Sequence, residues 1–298
     1  MKDRAKLTTE KRNYKTANID KFSTLKIVDI INRQDRLVAP AVARERKQIS
    51  KAVDIIVRGF RSGGRLFYVG AGTSGRLGVL DAAECSPTYG VRPTLVQGII
   101  AGGRHALVRS VEGAEDITGK GAKALAEKKI KSVDVVVGIA ACGITPFVQG
   151  AIKKAKQTGA ATIFITCAPQ AKKEIAADII INPVVGPEVI TGSTRMKAGT
   201  ATKLVLNTLT TAAMIKTGKV YGNLMVDLRA TNFKLQDRSE RIITDVTGLS
   251  RPAAKKLLKK ARGFVKAAIV MHFKKVGIGK AIKILRQCDQ SLRTAIGK

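Results

Sequence analysis

Apolar residues along this chain follow two rhythms. Within residues 23–62 they recur every three or four positions, at Leu25, Val28 and Ile31, then at Ile49, Val53, Ile56, Val57 and Phe60. That is the spacing of amphipathic helices. Ser62-Gly63-Gly64 ends the pattern. Beyond it the apolar residues come in short runs: Leu66–Val69, Thr94–Val96, Val133–Ile139, Ala161–Thr166 and Ile179–Ile181. Such runs suit strands buried on both faces of a parallel sheet. Helical patterns lie between them, at about 74–84, 117–128 and 146–158. Ile99–Gly103 reads as a loop followed by a helical stretch to about Ser110. A long apolar helix runs from Lys197 to Lys216 and stops at Gly218.

Alternating strands and helices predict an α/β fold with helices on both faces of a parallel sheet. Residues 1–20 are polar and aperiodic, so any order there must come from docking. After a connector at 218–232, helical patterns at 233–247, 251–261, 264–272 and 277–287 form a small all-helical unit, punctuated by Gly248, Gly263 and Gly277. The expected division is an arm with helices at 1–50, an α/β domain at 51–217, and the connector with a helical bundle at 218–298.

The first strand runs into Gly70-Ala71-Gly72-Thr73-Ser74-Gly75-Arg76. Glycines let backbone N–H groups approach a ligand. A helix start beyond them offers free donors and a positive dipole end, which suits a phosphate. Thr73 and Ser74 add hydroxyls. The spacing matches the dinucleotide pattern G-x-G-x-x-G, but that reading needs an acid at the end of the next strand, and Thr94–Gln97 ends without one. Two further loops follow strands: Ala140–Pro146, with Cys142, Gly143 and Thr145, and residues 186–194, with Glu188, Ser193 and Thr194. Singly, each is an ordinary turn or helix cap. In series at the carboxyl ends of strands, they suit a phosphate on a small polyol.

Composition narrows the alternatives. The 298 residues carry 54 Lys+Arg against 22 Asp+Glu, a formal charge of +32. The basic residues are spread along the chain with no nucleic-acid-binding module, so a basic solvated surface is the reading and no nucleic-acid partner is expected. Cys85, Cys142, Cys167 and Cys288 lack metal or disulfide spacing, and His105 and His272 stand apart. No metal or cofactor is expected. With no signal core and no run of membrane-spanning length, the expected compartment is the cytoplasm, with no membrane partner.

Longer stretches carry a more specific likeness. Tyr68–Cys85, Glu112-Gly-Ala-Glu-Asp116, Val185–Thr200, Lys219–Asp227 and the arm motif Leu7–Asn13 together resemble the N-acetylmuramic acid 6-phosphate etherases, of the sugar isomerase (SIS) superfamily. The likeness implies an SIS-type, Rossmann-like three-layer fold. It implies cleavage of the D-lactyl ether of N-acetylmuramate 6-phosphate to N-acetylglucosamine 6-phosphate and D-lactate, by elimination and water addition, without metal or nucleotide. It further implies an amino-sugar phosphate ligand and a homodimer.

The family's two catalytic glutamates map onto Glu84 and Glu115. Glu84 is read as the proton donor to the lactyl oxygen and Glu115 as the base at C2, although the labels are exchangeable in sequence. Glu84 is expected at the end of the helix that starts at the phosphate loop, with Leu80, Ala82 and Ala83 desolvating it. Gly72, Thr73, Ser74, Arg76, Cys142, Gly143, Thr145, Glu188, Ser193 and Lys197 are the expected substrate and phosphate contacts. The family commonly has Ser and Arg where this chain has Cys142 and Ile144, and Pro and Asn where it has Ser86 and Ala168. A thiol donates more weakly than a hydroxyl, which puts the second loop's phosphate contact in doubt. Relatives on this fold, such as the glucokinase regulatory protein, bind phosphosugars without catalysis, so a non-catalytic regulator is the alternative.

Overall fold

A computed structural model describes residues 4–173, 175–228 and 233–297. Its contacts divide the chain into two compact units: residues 1–82 with 94–210, and residues 83–93 with 211–298.

The first unit is built on five parallel strands: β1 (Leu66–Gly70), β2 (Val96–Ile100), β3 (Val135–Ile139), β4 (Ala161–Ile165) and β5 (Ile179–Ile181). Their order is β2-β1-β3-β4-β5. β1 and β3 are buried at every position, as their unbroken apolar runs predict. Gly70 pairs with Ile100 on one side and Ile139 on the other, so the strand ends are level. The chain leaves β1 toward β2, then crosses back to β3. The loops after β1 and β3 therefore flank the switch point, where ligands bind in such sheets.

The helices of this unit are α1 (Thr24–Asp35), α2 (Val38–Arg44), α3 (Arg46–Arg61), α4 (Gly72–Tyr89), α5 (Thr118–Glu127), α6 (Pro146–Gln157) and α7 (Lys197–Lys216). The last turns of α4 and α7 belong to the second unit. At the amino end of the sheet, the buried Asp134 accepts from Arg65 side-chain and backbone donors and from the Lys131 N–H, which clamps the entries of β1 and β3.

Three expectations need correction. The second strand is Val96–Ile100, so Ile99 and Ile100 are strand rather than loop. Gly98 interrupts the apolar run because Val79 of α4 lies against it; a Cβ there would sit 2.6 Å from the Val79 Cα. Helix α4 continues through Pro87 to Tyr89, so Glu84 is inside the helix, not at its end. On α1 the buried residues are Ile30 and Gln34, whereas Leu25 and Val28 are 73% and 46% exposed. The arm, whose order was expected to come from docking, is a series of short 3₁₀ turns docked through Leu7, Thr9, Asn13 and Thr16.

The second unit contains a two-stranded hairpin, β6 (Val220–Tyr221) and β7 (Leu224–Met225), inside the stretch expected to be a connector. Residues 229–232 of that stretch lie outside the described residues. The helices are α8 (Phe233–Thr247), α9 (Arg251–Lys260), α10 (Val265–Lys274) and α11 (Ile278–Gln287), with a further short helix, α12 (Leu292–Ile296), that apolar periodicity did not reveal. They close over a core that includes Val226, Ile243, Leu258, Ile269 and Leu292. Among the described residues no helix is long and apolar enough to cross a membrane.

Candidate active site

The glycines of the first loop do different jobs. A Cβ on Gly70 would lie 2.7 Å from the Gly75 nitrogen, and one on Gly75 would lie 2.6 Å from the Ile100 side chain. These two glycines let α4 pack directly on the strand ends, rather than admitting a ligand as the sequence suggested. Gly72 is the permissive one. Its φ is +51°, its Cα faces open space, and it starts α4. The first N–H groups of a helix have no carbonyl a turn behind them to bond, so Gly72, Thr73 and Ser74 present donors at the positive end of α4.

A cleft of about 160 Å³ opens at this helix start. It brings together Gly72, Arg76, Glu112 and Glu115. Arg76 is steered by a 3.1 Å bond from its Nε to the Leu107 carbonyl. Glu115 is exposed at its side chain, but its carbonyl accepts the Phe147 N–H at 2.9 Å. That bond satisfies one of the free donors in the first turn of α6. The adjacent helices approach closely because Gly121 of α5 and Gly150 of α6 have no Cβ; one would lie 1.8 Å from the Phe147 carbonyl, the other 1.9 Å from the Thr118 carbonyl. Glu112 accepts from the Ser110 hydroxyl at 2.6 Å. Sequence reasoning singled out neither Ser110 nor Glu112 as a site residue.

Glu84 lies in residues 83–93, counted with the second unit. It is exposed, and so are Leu80 and Ala83. The apolar surroundings expected from the sequence are therefore not supplied by these neighbours. Three residues earlier, in the first unit, Asp81 is buried. Its carboxylate accepts from the Tyr68 hydroxyl at 2.9 Å, the Asn207 amide at 2.6 Å and the Thr210 hydroxyl at 3.2 Å. The signal for Asp81 was present in Asp81-Ala-Ala-Glu84: an acid among small and apolar residues on the inner face of a helix needs partners.

The second loop is more apolar than a phosphate cradle requires. Cys142 and Ile144 pack against Leu7, Ala168 and Ala171. Three of the positions where this chain departs from the family pattern thus meet in one cluster with the arm. Gly143 has φ +82°, and a Cβ there would lie 2.0 Å from that of Ala171. Thr145 is buried and precedes α6 without a side-chain capping bond. The fourth departure, Ser86, donates to the Val91 carbonyl at 2.9 Å.

The third loop is tied inward. Glu188 is fully buried, and its two carboxylate oxygens accept the N–H groups of Lys197 and Ala198 at 3.0 and 2.9 Å. It caps α7, so this helix start is already occupied by a carboxylate. Burial pushes the Glu188 carboxyl upward against those bonds and the Lys197 charge. Lys197 is 1% exposed and donates from Nζ to Gln34 Oε1 at 2.8 Å, where Asn13 of the arm donates as well. Burial lowers its pKa. Glu188 and Lys197, expected as substrate contacts, therefore sit in an interior polar cluster. Ser193 remains half-buried in its turn, and Thr73 approaches the first turn of α7 at Gly199, 3.5 Å from where a Cβ would stand.

Comparison with known proteins adds a second line of observation. Residues 48–156 match the family described as the glucokinase regulatory protein N-terminal SIS domain. The chain is 52% identical to an N-acetylmuramic acid 6-phosphate etherase of Picosynechococcus sp., covering 98% of this chain and 97% of the relative. It is 54% identical to one of Clostridium botulinum, over 94% and 93%. Among solved structures, a phosphoheptose isomerase from Neisseria gonorrhoeae aligns with a TM-score of 0.47 at 16% identity, over 63% of this chain and 98% of that one.

Proposed function

The chain belongs to the N-acetylmuramic acid 6-phosphate etherases, an enzyme family that cleaves the lactyl ether of that sugar phosphate, and we propose that Glu115 and Glu84 carry its proton transfers. The observation that supports this reading is the cleft that places Glu115 beside the start of α4 and Arg76. The substrate's phosphate lies against the N–H groups of Gly72, Thr73 and Ser74, with Arg76 balancing its charge. In the open-chain sugar, the aldehyde at C1 acidifies the C2 proton. Glu115, as a carboxylate, removes that proton. Glu84, as the acid, protonates the ether oxygen leaving C3, and D-lactate departs. Water then adds to the unsaturated intermediate at C3, and a proton returns to C2, giving N-acetylglucosamine 6-phosphate. Two carboxyl groups in opposite protonation states do this work.

The regulator alternative is not favoured, because relatives that align along nearly the whole chain carry the etherase name. On this reading the enzyme acts in the cytoplasm on a small amino-sugar phosphate. It works as a homodimer, as the likeness to its family implies. Release of D-lactate from N-acetylmuramate 6-phosphate by the purified protein tests the reading. Tight binding of the sugar phosphate without lactate release would overturn it.

A further inference from the structure

The stretch Lys219–Asp227 takes no part in the phosphate loops. In the second unit it lines a cleft of about 360 Å³. Val226, Leu228, Ile282 and Leu285 form apolar walls. The charged groups are Lys219, Lys266, Asp227 and Arg286. Asp227 Oδ2 accepts from Lys219 Nζ at 2.7 Å and from Lys266 Nζ at 3.0 Å. Lys266 is 3% exposed and also donates to the Gln290 carbonyl at 2.8 Å. Burial lowers its pKa, against the pull of Asp227. Among the described residues two ammonium groups share the Asp227 carboxylate beside apolar walls, and the exposed Arg286 stands at the rim. Positive charge next to apolar surface is costly, and an anion relieves it.

The cleft is also rigidly placed. Gly90, the residue after α4, closes one side of it; a Cβ there would lie 2.1 Å from the Asp227 carbonyl oxygen. The backbone that presents Asp227 is thereby pinned to the end of the helix that carries Glu84.

We propose that this cleft is a second ligand site, one that takes a small organic carboxylate with a short hydrocarbon body. The carboxylate lies against Lys219 and Arg286, and the hydrocarbon part against Val226, Ile282 and Leu285. A monoanion suits the two ammonium groups that share Asp227. The volume equals about a dozen waters at ~30 Å³ each, enough for a chain of several carbons.

Calorimetric titration of the full chain with hexanoate tests the site without reference to turnover. Hexanoate is expected to bind, and the neutral hexan-1-ol to bind about tenfold more weakly or not at all. Lys219→Gln leaves Asp227 paired with Lys266 alone and is expected to weaken hexanoate about tenfold. Arg286→Glu, at an exposed position, keeps the fold and is expected to weaken it as well. Glu115→Ala is expected to leave hexanoate binding unchanged. The proposal is overturned by absence of hexanoate binding, by equal affinity for hexan-1-ol or for inorganic phosphate, by indifference to both charge variants, or by loss of binding in Glu115→Ala.

Discussion

The backbone carbonyl of Glu115 accepts the N–H of Phe147 at 2.9 Å, which ties the proposed base to the first turn of α6. The main chain of the glutamate is fixed while its side chain stays exposed beside the start of α4. Replacing the side chain should therefore remove chemistry without removing fold. Glu115→Ala and Glu84→Ala are each expected to lower the rate of lactate release by about 10²–10⁴-fold, the usual contribution of a general acid or base. Thermal unfolding should stay near that of the parent chain. Full activity in either variant would refute the role given to that residue.

Asp81 accepts from three side chains, the Tyr68 hydroxyl, the Asn207 amide and the Thr210 hydroxyl. Asp81→Ala removes all three bonds at once, although the Thr210 hydroxyl keeps the Leu206 carbonyl as an acceptor. The expected cost is roughly 3 kcal/mol, against about 1 kcal/mol for Tyr68→Phe, which removes one donor and leaves the others paired. Urea unfolding of the two variants checks the ranking.

Gly72 and Gly143 both have positive φ, but only one is crowded. Gly143→Ala adds a Cβ 2.0 Å from that of Ala171, whereas Gly72→Ala meets nothing within 4 Å. The first substitution is expected to cost about 3 kcal/mol or more and the second about 1 kcal/mol. Equal melting temperatures for the two variants would show that loop 140–146 yields where its packing says it should not.

Glu188 gives a pH signature. Its folded pKa lies above the ordinary 4.5 because of burial, so the folded chain binds its proton more tightly than the unfolded chain. That contribution to stability is present below 4.5 and is lost as pH rises through the raised folded value. Glu188→Gln cannot titrate. The stability of this variant relative to the parent should therefore improve as pH rises through that window. A constant difference in urea midpoint from pH 4.5 to 7 would contradict the assignment.

The thiols should separate by burial. The Cys167 thiol is pushed up to about 12, chiefly by burial, with Glu188 adding to the effect. Alkylation needs the thiolate and access to it. At pH 8 iodoacetamide should modify the half-buried Cys142 and Cys288 first and leave Cys167 unmodified in the native protein. Mass spectrometry of the labelled peptides reads this directly.

The order of strands and helices was legible because β1, β3 and β4 are buried runs and α3 is amphipathic, both patterns written in neighbouring residues. The second strand was misplaced because Gly98 breaks its run for the sake of Val79, a contact with another element. The dual use of the loop glycines was hidden for the same reason: Gly70 and Gly75 answer to each other's backbone, Gly72 to open space. The polar cluster of Asn13, Gln34 and Lys197 includes a hydrogen bond that spans 163 positions, and no local period marks such a set. Glu84 and Glu115 were named through family likeness. Their exposure on this chain carries no sequence pattern of its own.

The docked arm has a consequence for how the chain is made. Asn13 bonds to the Pro187 carbonyl and Thr16 to the Val189 carbonyl, 174 and 173 residues away. During synthesis the arm waits for nearly the whole first unit before its partners exist, and contacts of such long sequence separation form late. The surface for Leu7, formed by Ala168 and Ala171, is made somewhat earlier, but the pocket for Lys197 is unfinished until then. Completion of the third loop is thus the step that lets the arm lock on. Slowing synthesis ahead of residue 189 prolongs the interval in which the arm's apolar and polar anchors are open to other chains.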